Sequence, residues 1–386
     1  MLRSIVIHAL CAAAVWLAVP LTAQDDPLRA ALANRVDVGR QGTGAVVGRL
    51  TPNGSRLFTV YGRISADGPA PSADTLFEIG SITKVFTALL LADMVERGEV
   101  AFDDPVSRLL PRLTLPTRDG RAITLADLTT HTSGLPRLPS NLDVGALDNP
   151  YATYRAPDLH AFLASYALTR APGSQWEYSN LGVGLLGHAL AVKAGTTYQD
   201  LVRRRVFGPL GMRDTTITLS AAQRQRMATA HDGALHPVSW WDFDALAGAG
   251  AIRSTASDML TFAAAAMGGD SPLKAAFARM TTLRRPSRQP ATQQLAGWVA
   301  VLAMGRELLA HDGGTHGFRS SLMVDVANKR AAVAWINGPQ DINDVAGHAV
   351  EPSIPLRSLS PPRTEITVEP ETLADHVHAG RVWRCH

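Results

Sequence analysis

Two-residue alternation of apolar and polar side chains occurs toward both ends of this chain, and helical patterning fills the stretch between. Residues 45–62 alternate around T-P-N-G-S. Val46 and Val47 read as one strand, Leu57 to Tyr61 as the next, and Asn53-Gly54 as the turn of a hairpin. Alternation returns after Ala296. Gly297 to Ala303, Leu308 to Asp312, Ser320 to Asp325 and Ala331 to Ile336 read as successive antiparallel strands, with Ala327-Asn328 turning the last hairpin. From about 100 to 224 the pattern is helical, broken by Pro and Gly. A further helix follows Ser254, with a capping-box-like start in which Asp258 stands three residues after Thr255. The expected fold is α+β: one antiparallel sheet built from N- and C-terminal strands, flanked by helices, with a mostly helical lobe inserted. The expected division is a sheet domain over 24–98 and 225–351, a helical lobe over 99–224, and a linker with a short C-terminal tail over 352–386.

The 386 residues are 46% hydrophobic and 18% charged, enough apolar content for a sizeable core. The net charge of +3 is small, and no Lys/Arg stripe is interleaved with aromatics, so a nucleic-acid partner is not expected. Residues 1–23 read as a secretory signal, with Arg3 before an apolar run from Ile5 to Val19 and a cleavage site after Ala23. A retained anchor is the competing reading, but the run is short and ends at Pro20. Leu10 before Cys11 argues against a lipoprotein site, and no later stretch is long and apolar enough to span a bilayer. Cys11 would leave with the signal, so Cys385 alone would remain, without an intramolecular disulfide or a thiolate metal cluster. These features fit a bacterial periplasmic or secreted monomer.

Chemistry concentrates in three places. F-E-I-G-S-I-T-K places Ser81 and Lys84 one helical turn apart on the same face. Ser81 falls at a helix start, where unpaired N–H groups favour negative charge. Lys84, one of four lysines in the chain, is flanked by Ile82, Val85, Phe86 and Leu89. Desolvation there lowers an amine's pKa and suits it to accept a proton. The pattern recurs at Ser271 and Lys274, where Pro272 points to a capping serine and a surface lysine. The second place is Tyr178 and Asn180, the chain's one Y-x-N, in a loop opening a helix. A phenol beside an ammonium can ionise, and an amide can orient a substrate, although an exposed aromatic and a helix-capping Asn account for the tripeptide alone. The third is His311-Asp312-Gly313-Gly314 at a strand end, where glycines admit a close ligand and a backbone N–H can serve an oxyanion. His311 is a candidate tunable positive charge, or the satisfied histidine of a glycine-rich turn.

Taken together, these motifs resemble the penicillin-recognising serine hydrolases, most closely the class C β-lactamase-like branch. The similarity extends to L-T-T-H-T-S-G-L-P, A-P-G-S-Q-W-E-Y-S-N-L-G, V-F-G-P-L-G-M and A-G-A-G-A-I-R-S-T-A-S-D-M, from about 35 to 350. The resemblance implies a β-lactamase/transpeptidase-like fold and Ser81 as acyl-enzyme nucleophile. It implies Lys84 and Tyr178 as shared acid–base groups and Asn180 as a ligand of the substrate amide. His311, Gly313 and Gly314 would line the substrate site, with the N–H groups of Ser81 and Gly314 as the oxyanion hole. No cofactor or metal is implied, and no E-x-x-L-N segment of the class A type is evident, so deacylation would run through Tyr178 and a water.

Two departures bear on substrate. The family's K-T-G is H-D-G here, replacing a fixed cation by His311 and a hydroxyl by Asp312. Leu138 stands where cephalosporinase relatives carry Gln. The expected activity is β-lactam hydrolysis. The alternatives are a D-amino-acid peptidase or D,D-carboxypeptidase, a carboxylesterase, or a slow-turnover penicillin-binding protein. A metal hydrolase based on His311/His316 or His376/His378 is disfavoured by the lack of H-E-x-x-H, and an α/β-hydrolase by the lack of G-x-S-x-G. The tail L-A-D-H-V-H-A-G-R-V-W resembles the opening of an extra C-terminal domain found in some relatives.

Overall fold

The computed structural model describes residues 26–359, apart from 144, 146 and 147. The expected signal peptide, both cysteines, His376/His378 and the tail motif lie outside the described residues. Among the described residues the largest sheet has eight strands, all neighbours antiparallel. Its spatial order is β2 (Arg56–Gly62), β1 (Gly44–Leu50), β10 (Arg330–Ile336), β9 (Arg319–Asp325), β8 (Arg306–Gly314), β7 (Val299–Ala303), β6 (Thr292–Gln294) and β5 (Arg285–Pro286). The N-terminal hairpin therefore joins the C-terminal strands directly, with Val47 opposite Ala334. β5 and β6 extend the sheet further than alternation foretells. Arg285-Pro286 and Thr292-Gln293-Gln294 carry no alternating apolar residues, so only their pairing marks them as strands.

Both faces of the sheet are covered, and adjacent side chains on one strand enter different cores. Ala45 and Val47 pack with Ala334 and Ile336 against α1 (Pro27–Ala33) and α7 (Asn343–Val350). Val46 points the other way, into the main core with Val333 and Trp335. On that side α5 (Ala256–Ala266) lays Leu260 over Gly48. Thr255 caps α5 by accepting from the Asp258 N–H, but the Asp258 carboxylate accepts from the Asp214 N–H and Thr215 Oγ1. The expected box is thus replaced by a long-range tie. Residues 352–359 fold back onto the molecule: the Arg357 N–H donates to Asp344 and the Leu359 N–H to Asn34.

The element that positions the chemistry is α2 (Thr83–Glu96), which is buried on every side from Thr83 to Met94. It leaves a short 3₁₀ turn, Gly80–Ile82, that follows β3 (Phe77–Glu78). β3 pairs with β4 (Arg253–Ser254) outside the main sheet. The second S-x-x-K has no such setting. α6 (Lys274–Met280) begins at Lys274 itself, the Ser271 hydroxyl accepts from the Leu273 N–H, and Lys274 is exposed.

Candidate active site

The turn carrying Ser81 is clamped to the sheet. Phe77 stacks on Trp335 with centroids 5.6 Å apart and meets Phe318 edge-on at 6.0 Å. Ser320 Oγ donates to the Ile79 carbonyl at 2.9 Å. Gly80 has φ +49°, and a Cβ there would lie 2.6 Å from the Gly314 nitrogen. A Cβ on Gly313 would lie 2.0 Å from the Ile79 oxygen. Only glycines allow the turn to rest on β8 this closely. The contact sets the Gly314 backbone beside Ser81.

Ser81 Oγ sits between two proton-carrying groups. Lys84 Nζ is 2.9 Å away, and Tyr178 Oη is 2.7 Å away and donates to it. Lys84 is 1% exposed and also donates to the Ala249 carbonyl at 2.7 Å. That carbonyl belongs to the A-G-A-G turn, Ala247–Gly250, which packs against α4 (Asn180–Lys193) where Gly187 meets Gly248. Burial drives the Lys84 pKa well below its ordinary value, reinforced by the positive charge of Arg137 and opposed by Asp312. An amine in that state has a lone pair to offer the Ser81 hydroxyl.

Tyr178 departs from the sequence expectation. Burial pushes the Tyr178 pKa up, outweighing the Ser81 hydrogen bond and the Arg137 charge, and so favours the phenol over the phenolate considered beside an ammonium. Desolvation penalises the charged form of both the buried amine and the phenol. Tyr178 O–H and Lys84 Nζ both donate to Ser81 Oγ, which thus sits between an acid and a group poised to become a base.

Two residues that the motif reading did not single out shape Tyr178. His131, in left-handed backbone with φ +60°, lies against its ring at a 4.5 Å centroid distance. The Ser179 N–H donates to His131 Nδ1 at 3.2 Å. Burial, then the nearby charges of Lys84 and His311, keep His131 neutral. The exposed Arg137 guanidinium lies 5.0 Å from the centre of the Tyr178 ring, as does Lys84 Nζ. Both missed residues stand in or next to the H-T-S-G-L-P run, whose spacing shows nothing of this packing.

Asn180 opens α4 after the Ser179 cap. Its Nδ2 donates to Tyr151 Oη at 3.1 Å, while its buried Oδ1 has no partner among the described residues. On β8, His311 is buried, Asp312 exposed and Gly313 buried. Of the two readings of His311, its burial and its Nδ1 contact favour the satisfied histidine. Burial lowers its pKa, Asp312 only partly opposes that, and Nδ1 is 2.6 Å from the Asp312 carbonyl. β7 pairs with β8 only as far as Val299–Ala310, so β7 leaves residues 311–314 without a partner along that edge. Leu138 packs half-buried against the core.

Behind the turn, buried Glu78 accepts from the Trp241 N–H at 2.7 Å and lies 3.5 Å from Arg253 Nη2. Its Oε2 has no partner among the described residues, and burial pushes its pKa up to about 7. No cluster of three or more potential metal ligands occurs among the described residues. No helix among them is long and apolar enough to cross a membrane.

The Beta-lactamase family profile matches residues 28–351. This chain belongs to the Beta-lactamase family. It is 35% identical over 269 residues to the D-alanyl-D-alanine-carboxypeptidase/endopeptidase AmpH of Escherichia coli K12, covering 67% of this chain and 68% of that protein. It is 31% identical over 293 residues to a beta-lactamase of Pseudomonas fluorescens, covering 75% and 76%. The structure of a class C beta lactamase from Rhodobacter sphaeroides superposes with a TM-score of 0.71 at 25% identity, over 85% of this chain and 98% of that one. Family membership makes the protein a serine hydrolase, and the α+β architecture is the one its relatives share.

Proposed function

We propose that Ser81 is the nucleophile of an acyl-enzyme hydrolase whose substrates are β-lactam amides, with D-alanyl peptides as the second class. The observation that carries this reading is Ser81 Oγ held 2.9 Å from a deprotonation-prone amine and 2.7 Å from a protonated phenol. The Ser81 proton passes to Lys84 as Oγ attacks the carbonyl carbon. Charge developing on the carbonyl oxygen is received by the N–H groups of Ser81 and Gly314. Tyr178 gives its proton to the leaving nitrogen and recovers one from the Lys84 ammonium, so the net transfer is from Ser81 to the leaving group. A water then attacks the ester, its proton taken by the Tyr178–Lys84 pair, and Ser81 Oγ leaves reprotonated. Asn180 Oδ1, which lacks a donor among the described residues, suits a substrate amide N–H. The unpaired edge of β8 suits an extended substrate backbone lying beside residues 311–314.

The named activities of the relatives support both substrate classes, and an ester is a third candidate for the same chemistry. Nitrocefin, a D-Ala-D-Ala peptide and a short-chain nitrophenyl ester assayed side by side separate them. The reading expects β-lactam turnover that Ser81→Ala abolishes. Ester turnover with no β-lactam or peptide cleavage would reassign the enzyme as an esterase. The leader-like residues 1–23 support export from a bacterial cytoplasm, and we place the enzyme in the periplasm or medium as a monomer.

A further inference from the structure

We propose that His160 and His188 form a binding site for one zinc-type divalent cation, which joins two helices outside the catalytic site.

His160 lies on α3 (Ala156–Ser165) and His188 on α4. Both residues are half-buried. Each is carried by a helix whose adjoining positions are packed: Leu159, Phe162 and Leu163 on α3, Gly187 and Ala189 on α4. The two Nε2 atoms face each other at 3.2 Å, with ring centroids 5.3 Å apart and planes inclined by 62°. Two nitrogens that are each about 2.0–2.1 Å from a tetrahedral zinc stand roughly 3.3 Å from one another. The helices therefore already hold both donors at the separation zinc requires. One imidazole N–H donating to the other nitrogen spans the same gap, so zinc takes the place of a shared proton. The ring with hydrogen on Nε2 moves it to Nδ1, both Nε2 lone pairs turn to the metal, and no proton is lost overall.

Imidazole suits Zn²⁺, and also Cu²⁺ and Ni²⁺, whereas Mg²⁺ and Ca²⁺ favour oxygen donors. No third His, Cys, Asp or Glu joins the pair as a ready ligand among the described residues, so water completes the coordination. Asp244 is the acidic group at hand. It pairs at 2.6 Å with Arg155, which precedes α3, and the Ala245 N–H beside it donates to the Tyr154 carbonyl. Burial, then His160, lower the His188 pKa, and Asp244 opposes them. A carboxylate thus stands within electrostatic reach of the bound cation. His188 is eight positions after Asn180, roughly 12 Å along α4, so the cation sits apart from Ser81 and its effect is structural. It ties α3 to α4 beside Gly187, which meets Gly248 in the turn whose Ala249 carbonyl accepts from Lys84.

The test is calorimetric titration of the full-length protein with zinc chloride, set against His160→Gln, His188→Gln and the double variant. Wild type should bind one more Zn²⁺ per chain than the double variant, and each single substitution should weaken that event at least tenfold. The wild-type Tm should rise with zinc occupancy, and the double variant's should not. Equal stoichiometry and equal Tm response in wild type and double variant would overturn the site and place any zinc elsewhere, such as at His376 and His378. If the variants fail to fold, anomalous scattering from a zinc-soaked wild-type crystal decides: a peak between the two Nε2 atoms supports the site, and its absence overturns it.

Discussion

Replacing Gly80 by alanine tests whether the contact between the serine turn and β8 builds the oxyanion site. Two costs follow from the geometry. The backbone at Gly80 has φ +49°, which penalises a side chain by about 1–2 kcal/mol. The new Cβ would also stand 2.6 Å from the Gly314 nitrogen and 2.9 Å from its oxygen. Van der Waals contact needs close to 1 Å more, and β8 is held from behind by the Gly314–Arg319 pairing, so the serine turn must yield. Overpacking of this kind costs a further 1–3 kcal/mol, roughly. A displacement near 1 Å takes one donor out of line, and loss of one oxyanion donor lowers kcat about 10²–10³-fold. Gly98→Ala is the matched control: φ is +68° there, but nothing lies within 4 Å of the added carbon. Urea unfolding and nitrocefin kinetics on both variants separate the two effects. Gly98→Ala should lose about 1–2 kcal/mol of stability at unchanged kcat/KM, whereas Gly80→Ala should lose both stability and rate. A folded Gly80→Ala protein with wild-type kcat/KM would refute the reasoning.

Three further outcomes are expected. Because burial lowers the Lys84 pKa, the acylation rate should rise with pH through that lowered pKa. Lys84→Arg, which cannot shed its proton near neutrality, should lose about 10²-fold or more at every pH, read from a pH–rate profile. Tyr178→Phe should fold normally, yet slow nitrocefin turnover by roughly 10²–10⁴-fold, because the proton donor to the leaving nitrogen is gone. Glu78, raised from 4.5 to about 7, keeps in the folded protein a proton that the unfolded chain releases between those values. Its stabilising contribution is complete below pH 4.5 and is lost as pH rises through 7, a change of about 3 kcal/mol. Glu78→Gln should flatten that part of the stability–pH curve measured by chemical denaturation.

The fold was legible where packing imposes a short period. Val46, Val47 and residues 331–336 alternate between two cores, and that alternation is visible in the chain. β5 and β6 were not legible, since polar residues near a sheet edge need no apolar pattern. Ser81 and Lys84 were found because helical spacing is local, and Tyr178 because its tripeptide is unique in the chain. Their protonation was harder to read. Treating Lys84 as a charge suggested an ionised Tyr178, but both groups lose water to the same enclosure, and that enclosure is built by segments as distant as Ala249 and His131. For His311 the sequence left a tunable charge and a satisfied histidine equally open, and the same burial lowers its pKa. Arg137 and His131 act through the way one loop folds over a ring, which no spacing records.

Covalent trapping tests the central claim most directly. Full-length protein mixed with a penicillin, quenched in acid within the first turnovers and digested should carry the penicilloyl mass on the peptide containing Ser81. The Ser81→Ala protein should carry none and should not hydrolyse the drug. Hydrolysis that continues in Ser81→Ala, or an adduct on any other residue, would contradict the account.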